Sequence, residues 1–294
     1  MEVAQFKKEV LAIAADPKIK QEKLEAFIYD FFLHKPIPIV LSSYPHFVRC
    51  SINHPREVFK NVARCSYNPN ATSVGLMRCN YPGQQVFYAA VPASSQVTPS
   101  MTAMLETAME HVKGHNVKKH RLTLSRWVPK RKLNLFIFPF SKESIVRNDD
   151  LKIANDHFDQ ILLNTFGAGQ MDAIQYFRDS LEFMSDVFAM GENKLAYYRI
   201  SSAFYNCIMK FAVNKRMNTD GMLYSSANTL SAGLSIVLKK ELVDDGTLKC
   251  DYVQMYELQR SPSNPKDITF DVVSDSAVPD LNGNFTFGKI LPMS

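Results

Sequence analysis

The order of elements along the chain predicts an α+β fold with a mainly antiparallel sheet: helices first, then strands, then a helical stretch, then strands again. Three observations carry this. Apolar residues recur at helical spacing over 2–15 and 21–33. Short or alternating apolar runs follow at 86–90, 121–126 and 132–138. The period turns helical again over 151–215 before further short runs return. Strands and helices come in blocks, which excludes regular βαβ winding.

The chain has 294 residues, a length that suits one large domain or a domain with additions. Apolar residues make up 46% and charged residues 21%, enough for a real core. A net charge of +5 permits anionic ligands without demanding nucleic acid.

Val3, Phe6, Val10, Leu11 and Ile13 define the first helix, and Pro17 interrupts it. Leu24, Phe27, Ile28, Phe31 and Phe32 define the second, which Pro36 and Pro38 stop. This N-terminal region, residues 1–50, reads as a helical accessory layer ending in partly strand-like residues from 39. Its apolar side packs either on the main domain or on a second copy in a homo-oligomer. A short strand is expected around 62–66 and another at 86–90. A helix is expected over 102–114, ended by Gly114. Strands at 121–126 and 132–138 flank a bend at Trp127, Val128 and Pro129. Residues 139–150 read as polar turn. Helices are expected at about 151–164, 171–190 and 194–215, then short strands at 222–226, 235–238 and 252–258. The tail 261–294, rich in Pro, Asn, Asp and Ser, adds one late strand at 284–287.

The five cysteines lack any C-x-x-C pair and form no metal pattern with the histidines; reduced, buried thiols in a cytoplasmic protein are expected. The N-terminus lacks the apolar stretch of a signal peptide. No apolar run approaches the ~20 residues needed to span a bilayer.

Residues 76–106 hold the most chemistry. Arg78 and Asn80 precede a Pro82–Gly83 turn, Tyr88 follows in an apolar strand, and Glu106 sits in the next helix. A guanidinium can chelate phosphate, a phenol ring can stack on a heterocycle, and a carboxylate can face a sugar. Taken singly, each has an ordinary explanation: a solvated arginine, a core tyrosine, a solvated glutamate. Residues 220–226 place Tyr224, Ser225 and Ser226 after an Asp-Gly turn, without the G-x-S-x-G elbow of a serine hydrolase. His111 and His115 are four apart but find no third metal ligand in the sequence. Residues 113–132 hold eight Lys or Arg, which could touch nucleic acid; basic residues on the wet face of strands are the commoner explanation.

The run R-x-N-x-P-G-x-x-V-F-Y-A-A, then T-A-x-x-E, then D-G-x-x-Y-x-S, resembles the RES-domain family over roughly residues 56–260. That family includes bacterial toxins of toxin–antitoxin pairs that degrade NAD, with an ADP-ribosyltransferase-like fold. The resemblance implies a catalytic set of Arg78, Glu106 and Ser226. It implies NAD contacts from Arg64 (Arg56 competing for that place), Asn80, Tyr88, Tyr224 and Ser225, and no metal. Ser225 stands where the family usually has proline, and Met77 where it has glycine. The implied chemistry is cleavage of the nicotinamide–ribose bond by phosphorolysis or hydrolysis, with NAD as substrate, inorganic phosphate as a co-substrate and an antitoxin as partner. Two alternatives stand beside it: ADP-ribosyl transfer to a macromolecule, and a non-catalytic nucleic-acid-binding module using 113–132.

Overall fold

A computed structural model describes the chain except for residues 34, 36–38, 43, 95–96, 115–118, 191–194, 215, 261–267 and 293–294. Two helices open it, α1 (Val3–Ala15) and α2 (Gln21–Phe32). Strands β1 (Ile39–Ser42), β2 (Phe47–Ile52) and β3 (Val86–Val91) lead to helix α3 (Pro99–Gly114). Next come β4 (Lys119–Pro129) and β5 (Leu133–Ile137). The helical stretch is α4 (Lys142–Arg147), α5 (Asp149–Phe166), α6 (Met171–Ala189) and α7 (Leu195–Asn214). The chain continues with β6 (Gly221–Ser225), β7 (Leu234–Lys239), α8 (Glu241–Asp244), β8 (Leu248–Arg260) and β9 (Ile268–Val272).

Among the described residues, nine strands form one sheet in the order β1-β5-β6-β7-β3-β2-β4-β8-β9. All neighbours run antiparallel except β5 and β6. That parallel pair is the one joined through α4–α7, because parallel neighbours need a crossover connection. Antiparallel pairing therefore dominates, as the sequence predicts.

The N-terminal helices pack within the chain. Phe6, Leu24, Ile28 and Phe32 share one core with Phe188 of α6, Phe204 of α7 and Phe136 of β5. Phe6, Phe188 and Phe204 are completely buried. Each such ring contributes about 1.5–3 kcal/mol relative to exposure, so the two helices are integral to the fold. The sheet also enrols β1 and most of β2 from the region the sequence reading set apart as 1–50, and β9 from the tail.

Several local expectations are corrected. Residues 62–65 form a 3-10 turn, not a strand, because the Asn61 side chain caps the Ala63 N–H at 2.9 Å. β4 runs straight through residues 127–129, absorbing the expected bend as a bulge between Arg126 and Trp127. Residues 142–147 are helical, supported by an i,i+4 pair between Glu143 and Arg147. Asn284 makes only an isolated bridge to Asn61, while Phe285 and Phe287 enter the core.

All five cysteines are buried and unpaired. Burial pushes Cys50 and Cys250 up to about 12, and raises Cys65, Cys79 and Cys207 as well. Thiolate is the reactive form. Ellman's reagent at pH 8 is therefore expected to titrate almost no thiol in the native protein and five after unfolding in guanidinium; rapid native reaction at any of them would contradict the packing. No helix among the described residues is long and apolar enough to cross a membrane.

Candidate functional site

The sheet parts at one place. β2 and β3 are paired only at Val48 and Ala90. Antiparallel register would next bring residues 49 and 89 together, but the pairing does not continue there. The Arg49 side chain reaches from β2 to β3, its Nη1 donating to the Tyr88 carbonyl at 2.7 Å. Its guanidinium also lies 5.5 Å from the Phe87 ring centroid. The opening between the strands is a cleft of about 810 Å³, within the range of roughly 300–1,000 Å³ typical of small-molecule sites. Arg49, Tyr88, Glu106, Arg78, Arg64 and Tyr224 all contribute to its walls.

Glu106 projects from α3, which packs across β2 and β3. Its Oε1 accepts from the Ser226 hydroxyl and, at 3.2 Å, from the Asn228 N–H; Oε2 accepts from Asn228 Nδ2 at 3.0 Å. Three donors thus fix the carboxylate's orientation. Helix and loop come this close because residue 233 is glycine: a methyl group there would lie 2.2 Å from Thr102 Oγ1 on α3. Gly233→Ala is expected to push α3 away from the 226–233 loop, costing about 1–3 kcal/mol and loosening Glu106 from Ser226. Denaturant unfolding measures the cost; unchanged stability would show that α3 and the loop do not press together here.

Arg78 is 8% exposed, and two of its donors are committed. Nη1 and Nη2 each donate at 2.8 Å, to the carbonyls of Phe188 and Met190 at the end of α6. It therefore caps a helix while lining the cleft, and is not the free phosphate chelator expected from the sequence. Asn80 is 1% exposed and absent from the cleft wall; it donates to the Gly75 and Tyr81 carbonyls at 2.8 and 2.9 Å. Its Oδ1 accepts from the Tyr88 hydroxyl at 2.9 Å, and that hydroxyl accepts from the Cys79 N–H at 2.8 Å. Asn80 thus holds the Tyr88 hydroxyl without lining the cleft itself. Burial, then Cys79, raises the Tyr88 hydroxyl well above its ordinary value; burial does the same for Tyr224, whose ring lies 5.3 Å from that of Phe188. Both phenols stay protonated at neutral pH.

Ser226 is completely buried and does not line the cleft; its hydroxyl donates to the Glu106 carboxylate. Ser225 faces the other way, accepting from the Ser144 hydroxyl at 3.0 Å, and takes no part in the cleft. Arg64 is exposed at the cleft and pairs with Glu57 through two hydrogen bonds of 3.0 Å. An exposed pair of this kind is worth little, so an incoming anion can recruit the guanidinium. The competing Arg56 does not line the cleft.

Two residues escaped the sequence reading. Arg49 sits in an ordinary strand pattern, FVRC, and nothing local announces that β2 leaves its partner there. Burial lowers its pKa to about 10, and its Nε has no hydrogen-bond partner among the described residues. Asn228 lies in a short 3-10 turn whose approach to α3 depends on Gly233, a contact invisible along the chain. In the basic stretch 113–132, Lys119, Arg126 and Arg131 pair with Glu257, Asp251 and Asp220. His115 lies outside the described residues, as does the side chain of His111. No protein-family model matches this chain, and no curated protein matches it either.

Proposed function

We propose that the chain cleaves the bond between nicotinamide and ribose in NAD, releasing nicotinamide and passing the ADP-ribosyl group to phosphate or water. One observation carries this reading. A carboxylate held by three donors, a tyrosine ring and a deep guanidinium bonded to a carbonyl, not a carboxylate, share the walls of one cleft. The motif resemblance over residues 56–260 points the same way.

The pyridinium nitrogen of NAD is already cationic. The C1′–N bond breaks with its electron pair going to nitrogen, so nicotinamide leaves neutral and needs no general acid. Positive charge develops on the ribose, and a fixed carboxylate beside it stabilises that charge more in the transition state than in the ground state. Glu106 takes this role, with Ser226 and Asn228 holding it. Arg49 and Arg64 supply charge-assisted donors to the diphosphate. The Tyr88 ring packs against the nicotinamide riboside, its hydroxyl being occupied by Asn80 and Cys79. An oxygen of phosphate or water then forms the new bond to C1′, and with water the proton passes to solvent.

Incubating the purified protein with NAD, with and without phosphate, tests the reading. Free nicotinamide with ADP-ribose or its 1″-phosphate is expected. Label transferred from NAD to a macromolecule would make the chain an ADP-ribosyltransferase. Intact NAD under all conditions, with salt-dependent binding to nucleic acid, would favour the binding module.

A further inference from the structure

The turn that carries Arg78 and Asn80 spans residues 75–85, and three of its side chains leave it for the helical shell. They are Arg78, Tyr81 and Gln84, three residues apart. Arg78 holds the end of α6 through the Phe188 and Met190 carbonyls and lies 5.4 Å from the Tyr198 ring of α7. Tyr81 donates its hydroxyl to Glu25 of α2, a carboxylate only 5% exposed that also takes a hydrogen bond from Lys210 of α7. Gln84 forms a reciprocal amide pair with Asn206 of α7, Nε2 donating at 2.9 Å and Oε1 accepting at 3.2 Å. Asn206 is itself fixed by the Ser202 carbonyl at 2.9 Å.

Inside the turn, the bonds run toward the cleft. Gln84 Oε1 accepts from the Tyr81 N–H at 2.9 Å, and the Tyr81 carbonyl accepts from Asn80 Nδ2 at 2.9 Å. Asn80 in turn sets the Tyr88 hydroxyl. A continuous set of bonds therefore links α2 and α7, outside the sheet, to a ring in the cleft wall.

We infer that α2, α6 and α7 form a brace that positions the cleft turn for NAD, with Tyr81 and Gln84 as positioning residues that never touch the ligand. The inference rests on the cleft being the NAD site, and it gives the helices added around the sheet a part in substrate binding. The shell's packing core alone would not require these bonds, since Tyr81 and Gln84 lie outside it.

The test uses the full chain with Tyr81→Phe, which removes one hydroxyl, and Glu25→Gln, which keeps an acceptor for it. Hydrogen–deuterium exchange is followed across the chain, and NAD kinetics are measured in parallel. Tyr81→Phe is expected to speed exchange in residues 75–85 while leaving β4 and β8 unchanged. It is also expected to raise KM for NAD about tenfold, the equivalent of one hydrogen bond, with kcat changed by less than about threefold. Glu25→Gln should stay within about threefold of the native KM. Unchanged exchange in 75–85 overturns the brace. Faster exchange with an unchanged KM, or an equal loss in kcat, overturns the positioning role. If the native chain consumes no NAD, the functional reading falls, and the exchange arm alone still decides whether the shell holds the turn.

Discussion

Replacing Glu106 by alanine is expected to leave a folded protein that no longer consumes NAD. Removing one fixed charge-stabilising group from an active site ordinarily costs about 100- to 1,000-fold in kcat, and no other carboxylate lines this cleft among the described residues. Some stability is lost as well. The Ser226 hydroxyl is completely buried and would keep no acceptor, a cost of about 1–3 kcal/mol. Glu106→Gln separates the two effects. It preserves the shape and one acceptor while removing the charge, so it should melt close to the native protein yet lose the same catalysis. A Glu106→Gln protein that releases nicotinamide at the native rate would remove the carboxylate from the mechanism.

Arg49→Met is expected to have the second-largest effect, on binding. Arg49 lines the cleft with only Nη1 committed at its terminal nitrogens, to the Tyr88 carbonyl, and hydrogen bonds to charged groups contribute about 1.5–3 kcal/mol. KM for NAD should rise by about 10- to 100-fold. Arg49→Lys should not restore it, because an ammonium cannot bond the Tyr88 carbonyl and present a planar fork together. Burial lowers the Arg49 pKa, but a guanidinium keeps its proton throughout the range in which the protein is assayed, so its contribution to NAD affinity is expected to be flat between about pH 5 and 9. An NAD affinity unaltered in Arg49→Met would assign the anion site elsewhere.

The fold was legible where a single period governs a whole element. The helices at 3–15, 21–32, 171–189 and 195–214 announce themselves through apolar residues on one side. Elements decided by tertiary contacts did not. The 3-10 turn at 62–65 depends on one asparagine cap, and β4 continues through Pro129 because β8 pairs along its whole length. The site divides the same way. Tyr88 and Glu106, singled out through the motif resemblance, do line the cleft. Arg49 was not legible, because its place in the cleft wall comes from the parting of two strands distant in sequence. Arg78, Asn80, Ser225 and Ser226 carry the right chemical groups for ligand binding. Yet Asn80 and Ser226 are spent orienting Tyr88 and Glu106, Arg78 is shared with a helix end, and Ser225 turns away to Ser144.

The most direct measurement is a crystal structure of the Glu106→Gln protein with NAD bound. The nicotinamide ribose is expected to lie against residue 106, with the diphosphate on Arg49 and the Tyr88 ring beside the pyridine. A cleft that takes up no NAD at saturating concentration, or NAD bound with its ribose turned away from residue 106, would contradict the account.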